Sequence, residues 1–341
     1  MSAEKIFDSK WQVFVGDYYM EKSDIVFSVL AHEKAETLID TIVNIKHYNE
    51  NCGIIIHISS AFDWDGSMID EKTFYKLVEE MESVWINPQH VRSRRDILAK
   101  LHILNFDYVK QVCEFKFFSL MASNCAFIKY GIADFMAKND YLAAFDYFNI
   151  ENKRAWEWSC CLKEKQYNKL LSGINAKGAF GGQVEGSIYS FKLFEYVADQ
   201  IKHYYDFDDM TDKYQSEEII FITVAVNYLL EQGKIERLYD DTCIYMNWHM
   251  GLRFFIVQLK SIAKKYYGVK RVPREVDADI RTYLRECWGG YSEEVFRYLQ
   301  PLRKKSVIGL WLVDTCRFLA ELPKTALKMI VFHKEFRHAE K

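Results

Sequence analysis

From residue 24 to residue 120 the chain alternates between short apolar runs and stretches whose apolar residues recur every three or four positions. The runs 25–30, 53–58, 83–86 and 115–120 have the length of strands and little polar alternation, so each reads as a strand covered on both faces. Between them, Leu38, Ile39, Ile42 and Ile45 mark one face of a helix over 36–45. Phe74, Leu77, Val78 and Met81 mark another over 74–81, and 94–109 is a longer amphipathic helix. Strand, helix, strand in this order predicts an α/β domain with a mainly parallel sheet. Such sheets bind ligands beyond the carboxyl ends of their strands, which directs attention to the loops beginning at Ala31, Ser59, Asn87 and Met121.

Residues 138–175 are aromatic and charged with little periodicity, and Gly178, Gly181 and Gly182 mark a flexible turn. Helical spacing returns at 190–204 and 217–230, and past Tyr266 the pattern is helical throughout, at 277–287, 292–299, 307–319 and 325–336. The organisation expected is a sheet domain over 1–265 followed by a helical C-terminal region over 266–341. A chain of 341 residues that is half hydrophobic and 16% aromatic, with four prolines, can bury a large core. A net charge of −3 with both signs interspersed argues against a general nucleic-acid binder. The first residues carry no apolar secretion segment, and the run 307–313 ends at Asp314, too short to span a bilayer. Eight cysteines without C-x-x-C spacing, including the vicinal Cys160 and Cys161, fit reduced thiols. The expected setting is cytoplasmic.

Neither a glycine-rich dinucleotide loop nor a Walker loop occurs, and no two histidines have metal-ligand spacing. Glu217 and Glu218 open an apolar helix behind Ser216, a residue type suited to an N-cap. A carboxylate in a first turn is held ionised by the helix dipole, as a general base requires, though acids there also simply stabilise helices. His57 falls inside a strand and reads as a core histidine. Asp63 and Asp65 have the D-x-D form that holds Mg²⁺ or Mn²⁺, in a segment where aspartates also make ordinary turns. Asn124 and Cys125 end the fourth strand, as ligand contacts or turn residues. Lys270, Arg271 and Arg274 form a basic cluster, either a clamp for a diphosphate or a solvated patch.

Taken in order, these segments resemble the core-2/I-branching β-1,6-N-acetylglucosaminyltransferase family, which includes peptide xylosyltransferases. The loop with His32 and Lys34 resembles that family's "His-x-Lys" turn at the nucleotide. The strand 55–58 resembles its "V-H-V/I-D" strand, with Ser59 where the family has Asp, and 84–86 resembles its third strand. The segment 117–124 resembles one ending in "Ser-Gly-x-Asp-x-P", with Asn124 in place of the Asp and no matching proline. Gly186, Ser187 and Tyr189 resemble "Gly-Ser-x-Tyr/Trp", residues 216–223 resemble "P-D/E-E-x-x-x-x-T", and 245–248 resembles a strand carrying an acceptor-side Trp.

The resemblance covers roughly 24–275. It implies a GT-A-type fold with the mainly parallel sheet flanked by helices, transfer from a UDP-sugar with inversion, and no metal. Glu218 matches the catalytic base and Glu217 its orienting neighbour. His32, Lys34, Asn124, Lys270, Arg271 and Arg253 would hold the donor, and Trp248, Tyr189 and Glu185 the acceptor. The implied partners are a nucleotide sugar, best matched by a GlcNAc donor, and a glycan or lipid-linked acceptor; no cofactor is expected. Two alternatives stay open: a metal-dependent transferase using Asp63 and Asp65, and a non-catalytic glycan- or protein-binding module, which the substitutions at Ser59 and Asn124 keep in view. In the C-terminal region Arg303, Lys304 and Lys305, and the mixture of Lys with apolar residues over 324–334, suit either a helix on an anionic membrane surface at the inner face of a membrane or a helix packed on the core.

Overall fold

The computed structural model describes residues 20–32, 34–148, 160–209, 215–246, 255–287, 309–312, 314, 315 and 317. The chain opens as expected: β1 (Glu21–Ala31), α1 (Ala35–Tyr48), β2 (Cys52–Ile58), α2 (Glu71–Glu79), β3 (Val84–Ile86), α3 (Leu98–Val109, entered through a single 3₁₀ turn) and β4 (Cys113–Ala122). Then follow β5 (Cys125–Phe127), α4 (Ile132–Met136), β6 (Tyr141–Leu142), β7 (Asp146–Phe148), α5 (Lys165–Gly173), β8 (Ala179–Gly181), β9 (Ile188–Ser190) and α6 (Phe191–Tyr204). The last elements are α7 (Glu217–Glu231), β10 (Leu238–Tyr239), β11 (Ile244–Tyr245), α8 (Ile256–Ile262), β12 (Gly268–Lys270) and α9 (Asp279–Cys287).

The main sheet has seven strands in the order β10-β6-β9-β4-β1-β2-β3. Only β9 opposes its neighbours, β4 and β6, so the sheet is mainly parallel. The later residues of β1 and all of β2 are buried because both faces are covered there. Along β1, Ile25, Phe27, Val29 and Ala31 join a core with α1 and α2. Val26 and Leu30 point the other way, into a core built with α3, α6 and α7. The fold is therefore a mixed α/β sandwich with helices on both faces of the sheet.

One polar network lies inside. Ser28 Oγ meets His102 Nδ1 at 2.8 Å and accepts from Asn105 Nδ2 at 3.0 Å, and Asn105 Oδ1 accepts from Asn87 Nδ2 at 3.0 Å. Burial drops the His102 pKa to about 3, so the ring stays neutral. His57 is likewise buried, with Nε2 donating to the Val91 carbonyl at 2.9 Å, and is a core histidine. The described cysteines 52, 113, 125, 161 and 243 are buried and form no disulfide among the described residues.

A second sheet, β11-β12-β5, sits against the carboxyl end of β4. Its middle strand, β12, begins beyond residue 265, so the segment expected to be wholly helical starts by pairing with a strand from the middle of the chain, with Lys270 opposite Cys125. Three residues are too few for a periodic signal. Next, α9 docks on α1 through buried charges. Arg281 Nη1 lies 2.7 Å from Asp40 Oδ2, and Arg285 Nη1 lies 2.9 Å from Asp40 Oδ1. Residues 292–299 and 325–336 lie outside the described residues, while those described from 309 to 317 are helical. Among the described residues, no helix is long and apolar enough to cross a membrane.

Candidate active site

The chain passes from β1 to β2 to β3 on one side and returns to β4 on the other side of β1. The crevice beyond the carboxyl ends of β1 and β4 is thus a topological switch point, where open α/β sheets bind ligands. Ser123 ties its two banks together. Its Oγ donates to Leu30 O at 3.0 Å, the His32 amide lies 3.4 Å from that oxygen, and Ser123 O accepts from Thr41 Oγ1 at 2.9 Å.

The strip 270–274 crosses this crevice. Val272 N donates to Asn124 O at 3.0 Å, and the Arg274 carbonyl accepts from Thr37 Oγ1 on α1 at 2.6 Å. Arg281 Nε donates to Pro273 O at 2.6 Å, so the α9–α1 contact also holds the strip down. Arg271 takes a left-handed backbone at φ 68°, which turns the chain out of β12. The strip carries Lys270, Arg271 and Arg274 past the ends of the strands.

Four side chains from three separate segments meet at one end of this strip. Lys270 Nζ pairs with Glu185 Oε1 at 2.5 Å, both side chains largely buried. Glu217 is 5% exposed, and burial raises its pKa well above the carboxylate range. The neighbouring charges of Glu218 and Glu185 push it the same way, and Lys270 only partly opposes them. Burial thus favours the neutral form of Glu217, against the expectation that the helix dipole keeps a first-turn carboxylate ionised: dehydration outweighs the dipole here. Glu218, one residue on, is partly exposed. With its amide turned to donate, Gln215 lies 3.1 and 3.3 Å from the two Glu218 oxygens. The Glu218 carbonyl accepts from Gly182 N at 2.9 Å, which anchors α7 to the glycine turn after β8. Buried oxygens of Glu185, Glu217 and Asn124 have no hydrogen-bond partner. The Asn124 and Glu185 oxygens are acceptors, and a protonated Glu217 oxygen is a donor, so each has capacity for a ligand group.

Gly186 makes this arrangement possible. It has φ +82°, and a Cβ there would come within 2.5 Å of Ile244 Cγ1 and 2.9 Å of the Ile244 amide. Its N–H donates to Leu120 O at 2.8 Å and its carbonyl accepts from Cys243 N at 3.1 Å, locking the Glu185 turn between β4 and β11.

On the other bank, His32 keeps an open flank to solvent, yet its pKa is lowered, first by dehydration and then by the charges of Arg274 and His57. It faces the crevice as a neutral ring. Lys34 is exposed at the start of α1.

Several expectations need correction. Tyr189 is fully buried, with its ring 4.6 Å from that of Tyr141, so it offers no face to a sugar; its strand, β9, turns it into the core. Ser216 does not cap α7. Its backbone is already helical and its Oγ donates instead to Asp96 O at 2.9 Å. Asp63 is a turn former: its Oδ1 accepts from Gly66 N at 3.0 Å, with Asp65 exposed nearby. Ser59 Oγ accepts from Ala61 N and Ser93 N at 3.2 and 3.0 Å. Trp248 and Arg253 lie outside the described residues. Two site residues were missed as such: Gln215, adjacent to the Glu pair, and Arg274, visible only as one member of the basic cluster.

No family model matches the chain, and no curated protein matches it. Among solved structures, one match is the galactosyltransferase LgtC in complex with donor and acceptor sugar analogues. It is 9% identical, over 83% of this chain and 97% of that one, at a TM-score of 0.38. Another is an active-site mutant of LgtC, 9% identical over 81% and 99% of the two chains, at a TM-score of 0.41. Likeness at this level assigns no residue and no chemistry.

Proposed function

We propose that this protein is a metal-independent, inverting glycosyltransferase that moves a sugar, with GlcNAc the leading candidate, from a UDP-sugar to a hydroxyl of a glycan or glycolipid. The supporting observation is the meeting of Glu217, Glu218, Glu185 and Lys270 at the carboxyl end of β4, under a strip that carries two further arginines. Glu218, partly open and steadied by Gln215, takes the proton from the acceptor hydroxyl. That oxygen attacks the anomeric carbon from the side opposite the diphosphate; the C–O bond to the phosphate breaks and the electron pair leaves with UDP. Lys270, Arg271 and Arg274 offset the charge that grows on the leaving group, while His32 and Lys34 line the nucleotide side. The diphosphate takes Lys270 over from Glu185, and the released carboxylate turns to the acceptor's hydroxyls. Glu217, whose neutral form burial favours, orients the site, and Glu218 is the base. The basic, apolar C-terminal stretch brings the enzyme to an anionic membrane surface and a lipid-linked acceptor on its cytoplasmic face.

The test is a thermal-shift screen of nucleotide sugars followed by donor-hydrolysis assays in EDTA. UDP-sugars should raise the melting temperature, and turnover should persist under chelation and fall in Glu218→Gln. Activity abolished by EDTA and restored by Mn²⁺ would replace this reading with a metal-dependent one. Glycan binding with no donor turnover would make the chain a binding module.

A further inference from the structure

At the opposite end of β4 from the crevice lies a cavity of about 690 Å³, a size suited to a small-molecule ligand. Five cationic side chains line it: Lys110 at the end of α3, Lys116 on β4, Lys192 in the first turn of α6, and Lys234 and Arg237 after α7. Only two carboxylates, Glu114 and Asp140, share the lining. Three of the cations are already paired: Lys110 with Asp107 at 3.2 Å, Lys116 with Asp24 at 2.7 Å and Arg237 with Asp140 at 3.0 Å. Glu114 is paired with Lys22 at 2.9 Å. Lys192 and Lys234 form no ion pair among the described residues, so their charge is left over. The wall is apolar as well as cationic, with Phe115, Leu193 and Leu229 buried beneath the rim and Phe191 half-buried.

Cations drawn to one cavity from four separate segments repel one another, and without a counter-charge this arrangement costs stability. An anion that sits between Lys192 and Lys234 removes that cost, and the positive end of α6 favours the same charge. A fully hydrated inorganic ion would leave the apolar wall unused. We propose that this cavity is a second ligand site, for a phosphate-bearing molecule with an apolar or aromatic body. Two sources share that chemistry, a nucleoside phosphate and a phospholipid headgroup. The site is separate from the candidate active site: the ten residues of β4 put about 30 Å between its ends.

The test uses the full chain, with UMP as the nucleoside-phosphate probe and monomeric dihexanoyl phosphatidate as the lipid probe, each titrated by calorimetry. Lys192 and Lys234 are both exposed, so the double variant Lys192→Glu/Lys234→Glu keeps the fold; its unchanged melting temperature is the control. At least one probe should bind the wild type and lose about tenfold or more in affinity in the double variant, as expected when charge-assisted hydrogen bonds are removed. The same binding should persist in Lys270→Ala, which distinguishes it from nucleotide held at the crevice. The probe that responds names the source. Failure of both probes to bind, or binding that the double variant leaves unchanged, overturns the proposal, whatever the outcome of the glycosyltransferase assays.

Discussion

The most exacting test of how the crevice is held together is Asp40→Asn. Asp40 is a buried carboxylate between two guanidinium groups, 2.7 Å from Arg281 and 2.9 Å from Arg285, and all three side chains are at most 5% exposed. Replacing the carboxylate by an amide keeps the shape and removes the charge, leaving two cations in one dry site. Arg281 Nη2 is already buried without a partner and gains none from the change. The arginines keep some support, because Arg281 Nε donates to Pro273 O and Arg285 Nη1 to Val276 O, so the middle of the range for a broken buried pair applies and not its top, about 4 kcal/mol. At an unfolding entropy of about 2.1 cal/mol/K per residue over 341 residues, that is a fall of about 6 °C in melting temperature. The assays are urea denaturation and thermal melting. Because α9 also holds the strip 270–274, UDP binding should be lost at a lower temperature than the global fold. A variant within about 1 kcal/mol of wild type would refute the argument, since only a pair that behaves as if solvent-exposed costs so little. The companion triple replacement Asp40→Leu/Arg281→Met/Arg285→Leu should recover most of the loss, as buried ion networks exchanged for packed apolar groups commonly do.

Glu218→Gln should lower turnover by about 10²–10⁴-fold while leaving UDP affinity nearly intact; turnover within a few-fold of wild type would remove Glu218 as the base. Lys270→Ala should weaken UDP more than UMP, measured by calorimetry, and equal losses would place the β-phosphate elsewhere. For Glu217 the sign follows from its raised folded pKa: its contribution to stability is full below the unfolded value of 4.5 and is lost as pH rises through the folded pKa. The stability of Glu217→Gln relative to wild type should therefore grow with pH above 4.5 and then level off, and urea midpoints that track each other across that range would contradict it. Gly186→Ala should cost about 2–4 kcal/mol, from left-handed backbone strain plus the overlap with Ile244; a smaller loss in urea melts would mean the turn relaxes.

The half of the fold up to β4 was legible because its strands are long, apolar on both faces and separated by helices with clear periodicity. Beyond β4 the helices α6, α7 and α9 were legible by the same periodicity, but the strands were not, because β5, β6, β9, β10, β11 and β12 are two or three residues each and exist only through pairing with distant strands. The same holds at the site. Neighbouring residues such as Glu217 and Glu218 announce themselves locally, but the Lys270–Glu185 pair joins the C-terminal strip to a turn far upstream. Tyr189 and Ser216 were misjudged for one reason: residue type suggests a role at a surface or a helix start, and long-range packing decided otherwise. The dehydration of Glu217 likewise comes from the elements stacked around it, not from its own helix.

The contact between α1 and α9 also has a consequence for the order in which the protein comes into being. Arg281 follows Asp40 by 241 residues. At about 5–20 residues per second, roughly 10–50 s of synthesis separate the appearance of the carboxylate from that of its first guanidinium partner. Through that interval β1, β2 and α1 can already be stacked, with the Asp40 side chain hydrated at their edge. The strip that roofs the crevice is made long after the sheet it covers. A ribosome-bound chain that ends before residue 281 would therefore carry a well-formed sheet with an open, unclamped ligand end. The segment 270–285 acts as a late latch, and a truncation before it separates a folded sheet from a finished binding site.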